Sequence, residues 1–320
     1  MRDTMSIVIP VYNRAQELPR TVASIVAQDY RPIRLILVDN NSSDNSLSVC
    51  YELQRKYGDE SLEIDVLQQP KAGASAARNM GMSAVKSRYI MFFDSDDELF
   101  PDSVSRYMQA FDEHPDTDIV GTTIELHNGT QSLGTAKAVF TTQPDAHIIH
   151  GILSTQRMAA RTEVIRAVGG WQEDYNGWLD WNLGLRIMLH TSRIVWLKDK
   201  PIARVFVHSK SITGRNDLEG YNQFYKAIKS TRKDICHSQH PQRVRLERLV
   251  VYRQILLSAR IIRENRENNV ALHNFAHQIY NEAINDPLTT FAMRLFFPIC
   301  VQYASRGGRG SGTIAQWIIR

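Results

Sequence analysis

Three carboxylates fall within four residues in the run Asp94-Ser95-Asp96-Asp97, directly after an apolar segment. Carboxylates this close repel one another, and a hard cation such as Mg²⁺ or Mn²⁺ relieves that repulsion. A divalent ion bound here could neutralise a diphosphate and leave one side open for a substrate. The structural alternative is a helix start at which the acids complement the helix dipole. The D-x-D pattern by itself leaves both interpretations open.

Several other chemistries lack their motifs. No G-x-G-x-x-G follows a predicted strand, which argues against a dinucleotide dehydrogenase, and no G-x-x-x-x-G-K-[ST] is present for a P-loop NTPase. There is no H-E-x-x-H and no C-x-x-C. The run 73–77 (GASAA) resembles a nucleophile elbow but lacks the second glycine, so we interpret Ser75 as packing at a helix start.

Apolar runs and helical patterns alternate along the first 130 residues. The apolar runs predict strands at 6–12, 33–39, 62–67, 89–93 and 118–126. Helices are predicted at 18–28, from a cap at 42–44 towards 57, at 74–85 and at 101–111. Continuous apolar strands alternating with helices predict a mostly parallel sheet with helices on both faces. Because ligands of such sheets bind at the carboxyl ends of the strands, Tyr12, Asp39 and residues 94–97 are candidates for one site.

The rest of the chain divides by pattern. Residues 130–215 are less regular and rich in Trp and Gly, and from about residue 217 the pattern is helical. We predict an α/β domain over 1–215, with halves meeting near residue 130, and a helical region over 216–320. A Gly-rich run at 306–312 predicts a flexible loop.

Composition excludes several classes of protein. Hydrophobic residues make up 43% and charged residues 22% of the 320, which is typical of a globular protein rather than a disordered or coiled-coil one. No apolar run approaches the roughly 18 residues of a spanning helix. The first residues lack the pattern of a signal peptide. The three cysteines are too widely spaced for a disulfide framework or a metal knuckle, so we expect a cytoplasmic protein.

Charge is unevenly distributed along the chain. Residues 1–200 carry 20 Lys/Arg against 26 Asp/Glu, whereas residues 201–320 carry 18 against 8. A basic tail favours an anionic partner such as a membrane surface, and a solvated helical face explains it equally well. The stretch 288–303 is apolar and basic, and residues 291–303 within it are too short to span a membrane but suit a helix lying in the interface of its inner face. Packing on the catalytic domain and a dimer contact stay open, and no nucleic acid is expected.

Five motifs occur in a fixed order around the acidic cluster. They are SIVIPVYN (6–13), VDNNSSD (38–44), AARN (76–79), VGGW (168–171) and LDWNLGLR (179–186). With FDSDD (93–97), their order and spacing resemble family 2 glycosyltransferases with the GT-A fold. The resemblance covers roughly residues 5–215. Each motif is ordinary alone, but their succession over one predicted sheet is specific.

The resemblance implies a metal-dependent, inverting hexosyltransferase. Its donor would be a nucleoside-diphosphate sugar, and its acceptor a hydroxyl of a glycan or lipid-linked molecule in cell-surface polysaccharide synthesis. The donor nucleotide would contact residues at the strand ends and on the third helix: Pro10, Tyr12, Asn13, Asp39, Asn40, Arg78, Asp94 and Ser95. In this scheme Pro10 shapes the strand end, Tyr12 lies against the base, Asp39 and Asn40 face the base, Arg78 lies beside the nucleotide and Asp94 touches the ribose.

A metal ion and a general base complete the implied site. Asp96, with His208, would hold Mg²⁺ or Mn²⁺ on the diphosphate, where the ion acts as a Lewis acid for the departing nucleotide. Asp180 would take the proton from the acceptor hydroxyl, and a helix N-cap is its structural alternative. Indole rings stack on sugars, so the tryptophans near Asp180 in sequence are candidates for the acceptor side: Trp171, Trp178 and Trp181. The alternative for each is that the ring is simply part of the hydrophobic core. His208 has a structural alternative, as do Lys210 and Arg215, which could steady the diphosphate.

Two positions depart from the family pattern. Asn40 stands where the family often has Asp, and an amide offers a donor as well as an acceptor. UDP, the first expectation, therefore becomes less secure, and dTDP or GDP stays open. Leu179 replaces the usual acid before the base, which removes a negative neighbour that could raise the pKa of Asp180.

Two other functions compete with the glycosyltransferase. A nucleotidyltransferase on a related sheet would need a Gly-rich basic loop after the first strand, and residues 13–17 contain no Gly. A catalytically inactive homologue could bind a membrane or partner through its basic tail. The intact acids Asp94, Asp96 and Asp180 argue against lost activity.

Overall fold

The computed structural model describes residues 2–136, 138–207, 216–265, 269–308 and 310–319. These residues form two compact units with interleaved sequence. The first unit comprises the described residues of 1–142, 153–173 and 190–207, and the second those of 143–152, 174–189 and 216–319. This division is based on compactness. The domain boundary that we expect near residue 215 is not tested by it and stays a prediction.

The strands formed by the described residues all belong to the first unit. In chain order they are β1 (Met5–Val11), β2 (Ile33–Asp39), β3 (Leu62–Gln68), β4 (Tyr89–Phe92), β5 (Glu98–Leu99), β6 (Ile119–Gly121), β7 (Glu125–His127), β8 (Ser132–Thr135), β9 (Met158–Arg161), β10 (Ile194–Trp196) and β11 (Ala203–Phe206). A larger sheet has the order β10-β6-β9-β4-β1-β2-β3, and a smaller one the order β5-β11-β7-β8.

The larger sheet confirms the prediction of a mostly parallel α/β fold. Strands β4, β1, β2 and β3 run parallel, with Val11 opposite Asp39 and Val8 opposite Phe92. Strand β9 is an exception, because it lies antiparallel between β4 and β6. Its Ala and Met residues carry no strong strand signal, and its place follows only from the packing.

One predicted strand is wrong as a single element. The run 118–126 divides into β6, which ends at Gly121 in the larger sheet, and β7, which joins the smaller one. The Trp196 ring occupies the position that a Cβ on residue 121 would take, so the chain lies tightly against β10 there. Thr122 then donates its backbone N–H to the Arg157 carbonyl and leaves the strand.

Helices occur in both units. In chain order they are α1 (Leu18–Val26), α2 (Ser46–Tyr57), α3 (Ala74–Ala84), α4 (Ser103–Glu113), α5 (Pro144–His150), α6 (Thr162–Ala167), α7 (Leu179–His190), α8 (Leu218–His237), α9 (Arg243–Glu264), α10 (Val270–Ile284), α11 (Phe291–Ser305) and α12 (Ser311–Ile318). The predictions for α1, α3 and α4 are confirmed to within a few residues. The predicted cap at 42–44 lies just before the observed start of the helix. Helix α2 begins at Ser46, and the Ser46 N–H donates to the Asp44 carboxylate.

The core of the first unit follows strand alternation. Ile7, Ile9 and Val11 of β1 share one cluster with the apolar residues of α1 and α4, whereas Val8 points to the other face and towards α3. Helix α3 presents small residues to the sheet, and a Cβ on Gly81 would collide with Val8 and lie 3.1 Å from Val38. This close approach places the start of α3 at the carboxyl ends of the strands.

The second unit is helical. Helix α9 is its central element and contacts α5, α8, α10 and α11. Its buried residues share one apolar cluster with residues of those four helices. Part of the expected loop at 306–312 is helical, because α12 begins at Ser311. None of the helices formed by the described residues has the length and apolar character needed to cross a membrane.

We predict that Gly81→Ala destabilises the protein by about 1–2 kcal/mol. Overpacking against Val8 and Val38 costs ~1–3 kcal/mol, which outweighs the ~1 kcal/mol that alanine contributes in a helix. Urea unfolding measures the change. The control is Ser83→Ala at an exposed position of α3, with an expected change within about 0.5 kcal/mol. A Gly81→Ala protein as stable as the parent would contradict this packing.

Candidate active site

The carboxyl ends of β1, β2 and β4 meet at one edge of the larger sheet. Val11 pairs with Asp39, and the Asn40 N–H donates to the Val11 carbonyl at 2.7 Å. The Phe93 N–H donates to the Val8 carbonyl, so Asp94 follows at the same edge. Tyr12, the next residue after β1, is 58% exposed there. The structure thus brings together the sheet-edge residues that the sequence singles out.

Pro10 lies where its missing N–H costs nothing. The backbone carbonyl of Val8 points towards β4. Backbone groups of residues two apart in a strand point to the same neighbouring strand, so the backbone nitrogen of Pro10 also points towards the β4 side. Strand β4 pairs with β1 only over Met5–Val8, so no ladder hydrogen bond is lost at Pro10. The proline can therefore end the pairing on this side of β1.

Asn13 connects the loops that follow β1 and β2. It has a positive φ of 50°, a conformation that asparagine tolerates better than most residues. Its side-chain oxygen accepts the Ser43 N–H at 2.8 Å, and its own N–H donates to the Ser42 hydroxyl at 3.1 Å. The amide is thus engaged with protein atoms, and Asn13 positions the loop beside Tyr12.

Asp39 is buried with half of its carboxylate unused. One oxygen, Oδ2, accepts the Ser42 N–H at 3.2 Å. The other, Oδ1, is buried and has no hydrogen-bond partner among the described residues. A buried carboxylate oxygen without a donor is costly, so it marks a place where a ligand N–H or O–H would be stabilised.

Asn40 braces the loop between β3 and α3. Its amide nitrogen donates to the carbonyls of Gln69 at 3.0 Å and Lys71 at 2.7 Å. Its amide oxygen accepts the Gly73 N–H at 2.7 Å. An aspartate could accept from Gly73 but could not donate to two carbonyls. The side chain that we expect to face a base therefore has its polar atoms committed to this loop.

The three acids of the cluster have different surroundings. Asp94 accepts from Arg78 Nη2 at 2.6 Å and from the Gln156 amide. Asp96 lies 3.2 Å from the Arg14 guanidinium. Their neighbour Ser95 is buried. The negative charge of the cluster is thus partly balanced by two arginines from distant segments.

Asp97 is the buried member of the cluster. Its oxygens accept the Phe206 N–H at 2.9 Å and the Gln156 amide at 3.0 Å. Burial, followed by the negative charges of Asp94 and Asp96, raises the pKa of Asp97 to about 8. Burial, reinforced by the two neighbouring negative charges, therefore favours the protonated form of Asp97 near neutral pH.

Arg78 lies between the acids and an indole ring. Its guanidinium carbon is 4.4 Å from the centroid of the Trp171 ring, and its Nε has no partner among the described residues. Trp171 is buried with its ring edge-on to Phe92. Asn79 holds the tryptophan backbone by two hydrogen bonds of 2.8 Å. This geometry gives Trp171 a packing role that positions Arg78.

The remaining candidates lie in the second unit. Asp180 is in the first turn of α7, where its Oδ1 accepts the Trp181 N–H at 2.9 Å. Trp181 is buried, and its indole N–H points to the carbonyls of His147 and Ile148. Trp178 is half-buried and stacks on Phe224 at 4.9 Å. Of the three tryptophans, Trp178 is half-buried, whereas Trp171 and Trp181 are buried.

Sequence patterns do not reveal several residues that shape both regions. Gln156 bridges Asp94 and Asp97 from a short turn before β9. His147 is fully buried, and its Nε2 lies 2.8 Å from the Trp181 carbonyl, which fixes the first turn of α7. Burial lowers the pKa of His147 to about 4, so the ring is neutral. Isolated Gln and His residues carry no motif. The candidates His208, Lys210 and Arg215 lie outside the described residues.

The acidic cluster could hold a divalent ion through a single carboxylate, that of Asp96. Across the part of the chain that the structure describes, no three His, Cys or acidic side chains converge as a metal site. Asp94 and Asp97 are engaged with protein groups, whereas Asp96 is partly exposed beside Arg14. Mg²⁺ usually takes one or two carboxylates together with substrate phosphates and waters. One carboxylate in an electronegative cluster fits that requirement.

The fold and this sheet edge define a GT-A protein. The S. aureus protein TarS, solved in complex with UDP, superimposes with a TM-score of 0.65 at 17% identity, over 94% of this chain and 92% of that one. A mannosyltransferase from Pyrobaculum calidifontis, solved with GDP-Man and Mn²⁺, gives a TM-score of 0.55 at 16% identity, over 96% and 88%. These likenesses confirm the predicted fold class.

The sequence profile described as "Glycosyl transferase family 2" matches residues 6–168, just over half of the chain. The chain belongs to this family, as its motifs predict. The glycosyltransferase GlyG of Streptococcus pneumoniae is 36% identical over 120 residues, 38% of each chain. A Campylobacter jejuni GalNAc(5)-diNAcBac-PP-undecaprenol beta-1,3-glucosyltransferase is 32% identical over 109 residues, 34% of this chain and 35% of that one. The matches span about a third of the length of these relatives.

We predict that Asn40→Asp costs about 3 kcal/mol of the free energy of unfolding at neutral pH. The change removes two donors and sets a buried negative charge against two carbonyls, and each unsatisfied group costs ~1–3 kcal/mol. Thermal or urea unfolding measures the loss. Asn41→Asp is the matched control, because it adds the same charge at the adjacent exposed position. Equal, small effects of both variants would show that the Asn40 amide does not brace the loop.

Proposed function

We propose that the protein is an inverting glycosyltransferase that uses a nucleoside-diphosphate sugar. It would transfer a hexose to a hydroxyl of a glycan or lipid-linked acceptor in cell-surface polysaccharide synthesis. The observation that carries the proposal is the buried, unpartnered Oδ1 of Asp39, which lies at the same sheet edge as the acidic cluster. Family membership and the UDP and GDP-Man bound by the two structural neighbours support it.

The donor base would be recognised at the end of β2. The unpartnered Asp39 Oδ1 would accept a ring N–H, and the exposed Tyr12 ring would offer a face for stacking. Because the Asn40 amide is committed to the loop 69–73, its difference from the common family residue does not count against a uracil base. We therefore propose UDP as the nucleotide, with dTDP and GDP as the alternatives that a binding assay distinguishes.

The diphosphate would lie beside the acidic cluster. Asp96, together with His208, would hold Mg²⁺ or Mn²⁺. The bound ion would neutralise the charge that develops on the departing diphosphate. Asp94, held by Arg78 at 2.6 Å, would accept a ribose hydroxyl. Arg14 now pairs with Asp96 at 3.2 Å and would release that carboxylate as the ion and the diphosphate bind.

The acceptor hydroxyl requires a base. Asp180 would accept its proton while the oxygen attacks the anomeric carbon, and the bond to the diphosphate breaks on the opposite side. One base is enough for a single displacement with inversion. Trp178, which is half-buried where Trp171 and Trp181 are buried, is the proposed residue of the three on the acceptor side.

A nucleotidyltransferase is less well supported. Such an enzyme would use the backbone N–H groups after the first strand to hold phosphates. Here the N–H groups of Asn13, Arg14 and Ala15 donate to side chains of the α2 start at 3.1, 2.7 and 3.2 Å. These backbone donors are thus already used.

We also propose that the enzyme is cytoplasmic and peripheral on the inner face of the membrane.

Ligand-dependent thermal stability tests the donor site. We expect UDP with Mn²⁺ to raise the unfolding temperature, since a ligand at 100 times its Kd adds about 2.7 kcal/mol. The Asp96→Ala variant should lose the Mn²⁺-dependent part of the shift while retaining a weaker shift with UDP alone. Asp116→Ala, which removes an exposed acid of the same unit, is the control. A metal-dependent shift that persists in Asp96→Ala would remove Asp96 from the ion.

Asp180→Asn tests the base. We expect transfer to fall by at least about 10²-fold with nucleotide affinity unchanged, because a base acts only in the chemical step. Single-turnover transfer and UDP binding measured on the same preparation separate the two effects. Asp174→Asn, at a nearby exposed acid, should leave both unchanged. Loss of UDP affinity in parallel with transfer would exclude Asp180 from this role.

A further inference from the structure

Helix α11 exposes an apolar stripe along its outer side. Phe291, Leu295, Ile299 and Tyr303 follow one another at intervals of four residues, and each is at least half exposed. Side chains four apart lie on the same side of a helix. The opposite side is buried in the core of the second unit through Met293, Phe297 and Cys300. A helix that is apolar on both sides is normally covered on both.

The stripe is accompanied by a second exposed pair. Helix α12 contacts α11 and exposes Ile314 and Trp317, which lie three residues apart. Phe291 is 78% exposed and Trp317 75% exposed, both far above what an indole or phenyl ring has in a core. We call these six residues, four on α11 and two on α12, the apolar face.

The segment that forms the apolar face carries charge of one sign in its own sequence. Residues 287–320 contain four Arg and no Asp, Glu or Lys. Arg294 and Arg306 are exposed, and neither has an acidic partner among the residues that the structure describes. Arg306 also lines a cavity of about 500 Å³ at the end of α11, together with Tyr303 and Gln302. Apolar residues flanked by unpaired arginines match the chemistry of an anionic lipid surface.

We propose that the apolar face docks the protein on an anionic lipid bilayer, with α11 and α12 lying in its interface. The aromatic and aliphatic side chains would enter the headgroup region, and Arg294 and Arg306 would contact lipid phosphates. A second copy of this chain is the less favoured occupant. An isologous contact would set arginine against arginine in a segment without a single acid. The inference rests on the proposed peripheral membrane association, for which it names the docking surface, and it is independent of transferase activity.

Flotation of the full chain with vesicles tests the proposal. We expect it to float with phosphatidylcholine vesicles that contain phosphatidylglycerol and to stay in the dense fraction with phosphatidylcholine alone. Raised salt should weaken the association, because it screens the arginines. The Phe291→Ser/Leu295→Ser variant should lose at least about tenfold in vesicle affinity. Arg294→Gln/Arg306→Gln should lose the preference for anionic lipid.

Controls separate docking from folding. Val270→Ser removes an apolar side chain that is 71% exposed on α10, outside the apolar face, and should float like the parent. Thermal unfolding identifies any variant that fails to fold. If the Phe291→Ser/Leu295→Ser variant does not fold, flotation of the Arg294→Gln/Arg306→Gln variant tests the docking instead, because it changes only exposed side chains. A full chain that stays in the dense fraction with anionic vesicles at low salt would overturn the proposal.

Sedimentation without lipid tests the other occupant. We expect a monomer whose mass is unaffected by the Phe291→Ser/Leu295→Ser change. A dimer that this change dissociates would assign the apolar face to a second copy and overturn lipid docking. UDP binding is measured in parallel, so that failure of the donor site is distinguished from failure of docking.

Discussion

Burying carboxylates at the edge of an apolar sheet is costly, and the arrangement of the first unit depends on how that cost is met. Each acid of the cluster has its own solution. Asp94 pairs with the buried Arg78, Asp96 with Arg14, and Asp97 relies on neutral donors and on a pKa raised by burial. In the proposed function, the divalent ion would replace Arg14 at Asp96 when a diphosphate binds.

The same balance explains why so much of the surrounding chain serves as support. Arg78 stays in place because Trp171 lies against its guanidinium, and Asn79 in turn fixes the Trp171 backbone. Asn13 and Asn40 hold the loops after β1 and β3 through amides that donate and accept at once. Neutral amides can brace backbone in this region without adding charge to a cluster that already carries too much.

The second unit shows another use of buried polarity. His147 is neutral in the core and contacts the Trp181 carbonyl, so it holds the first turn of α7, where Asp180 lies. Arg253 lies 4.5 Å from the Trp178 ring and donates to the Ile149 carbonyl at 3.0 Å. These contacts hold the backbone at the start of α7, as the proposed role of Asp180 would require.

The sequence by itself determined the local elements, the sheet edge and the family. Hydrophobic periodicity and turn chemistry depend on residues close together in the chain. For this reason β2 begins and ends where the apolar run 33–39 predicts, and α3 and α8 begin within a residue of their predicted starts. Only the tertiary structure decided which distant groups meet. The antiparallel place of β9, the division of 118–126, the bridge of Gln156 and the inward turn of the Asn40 amide are examples. A periodic pattern tells which side of an element is buried but not which partner covers it, because that choice depends on packing among segments far apart in the chain.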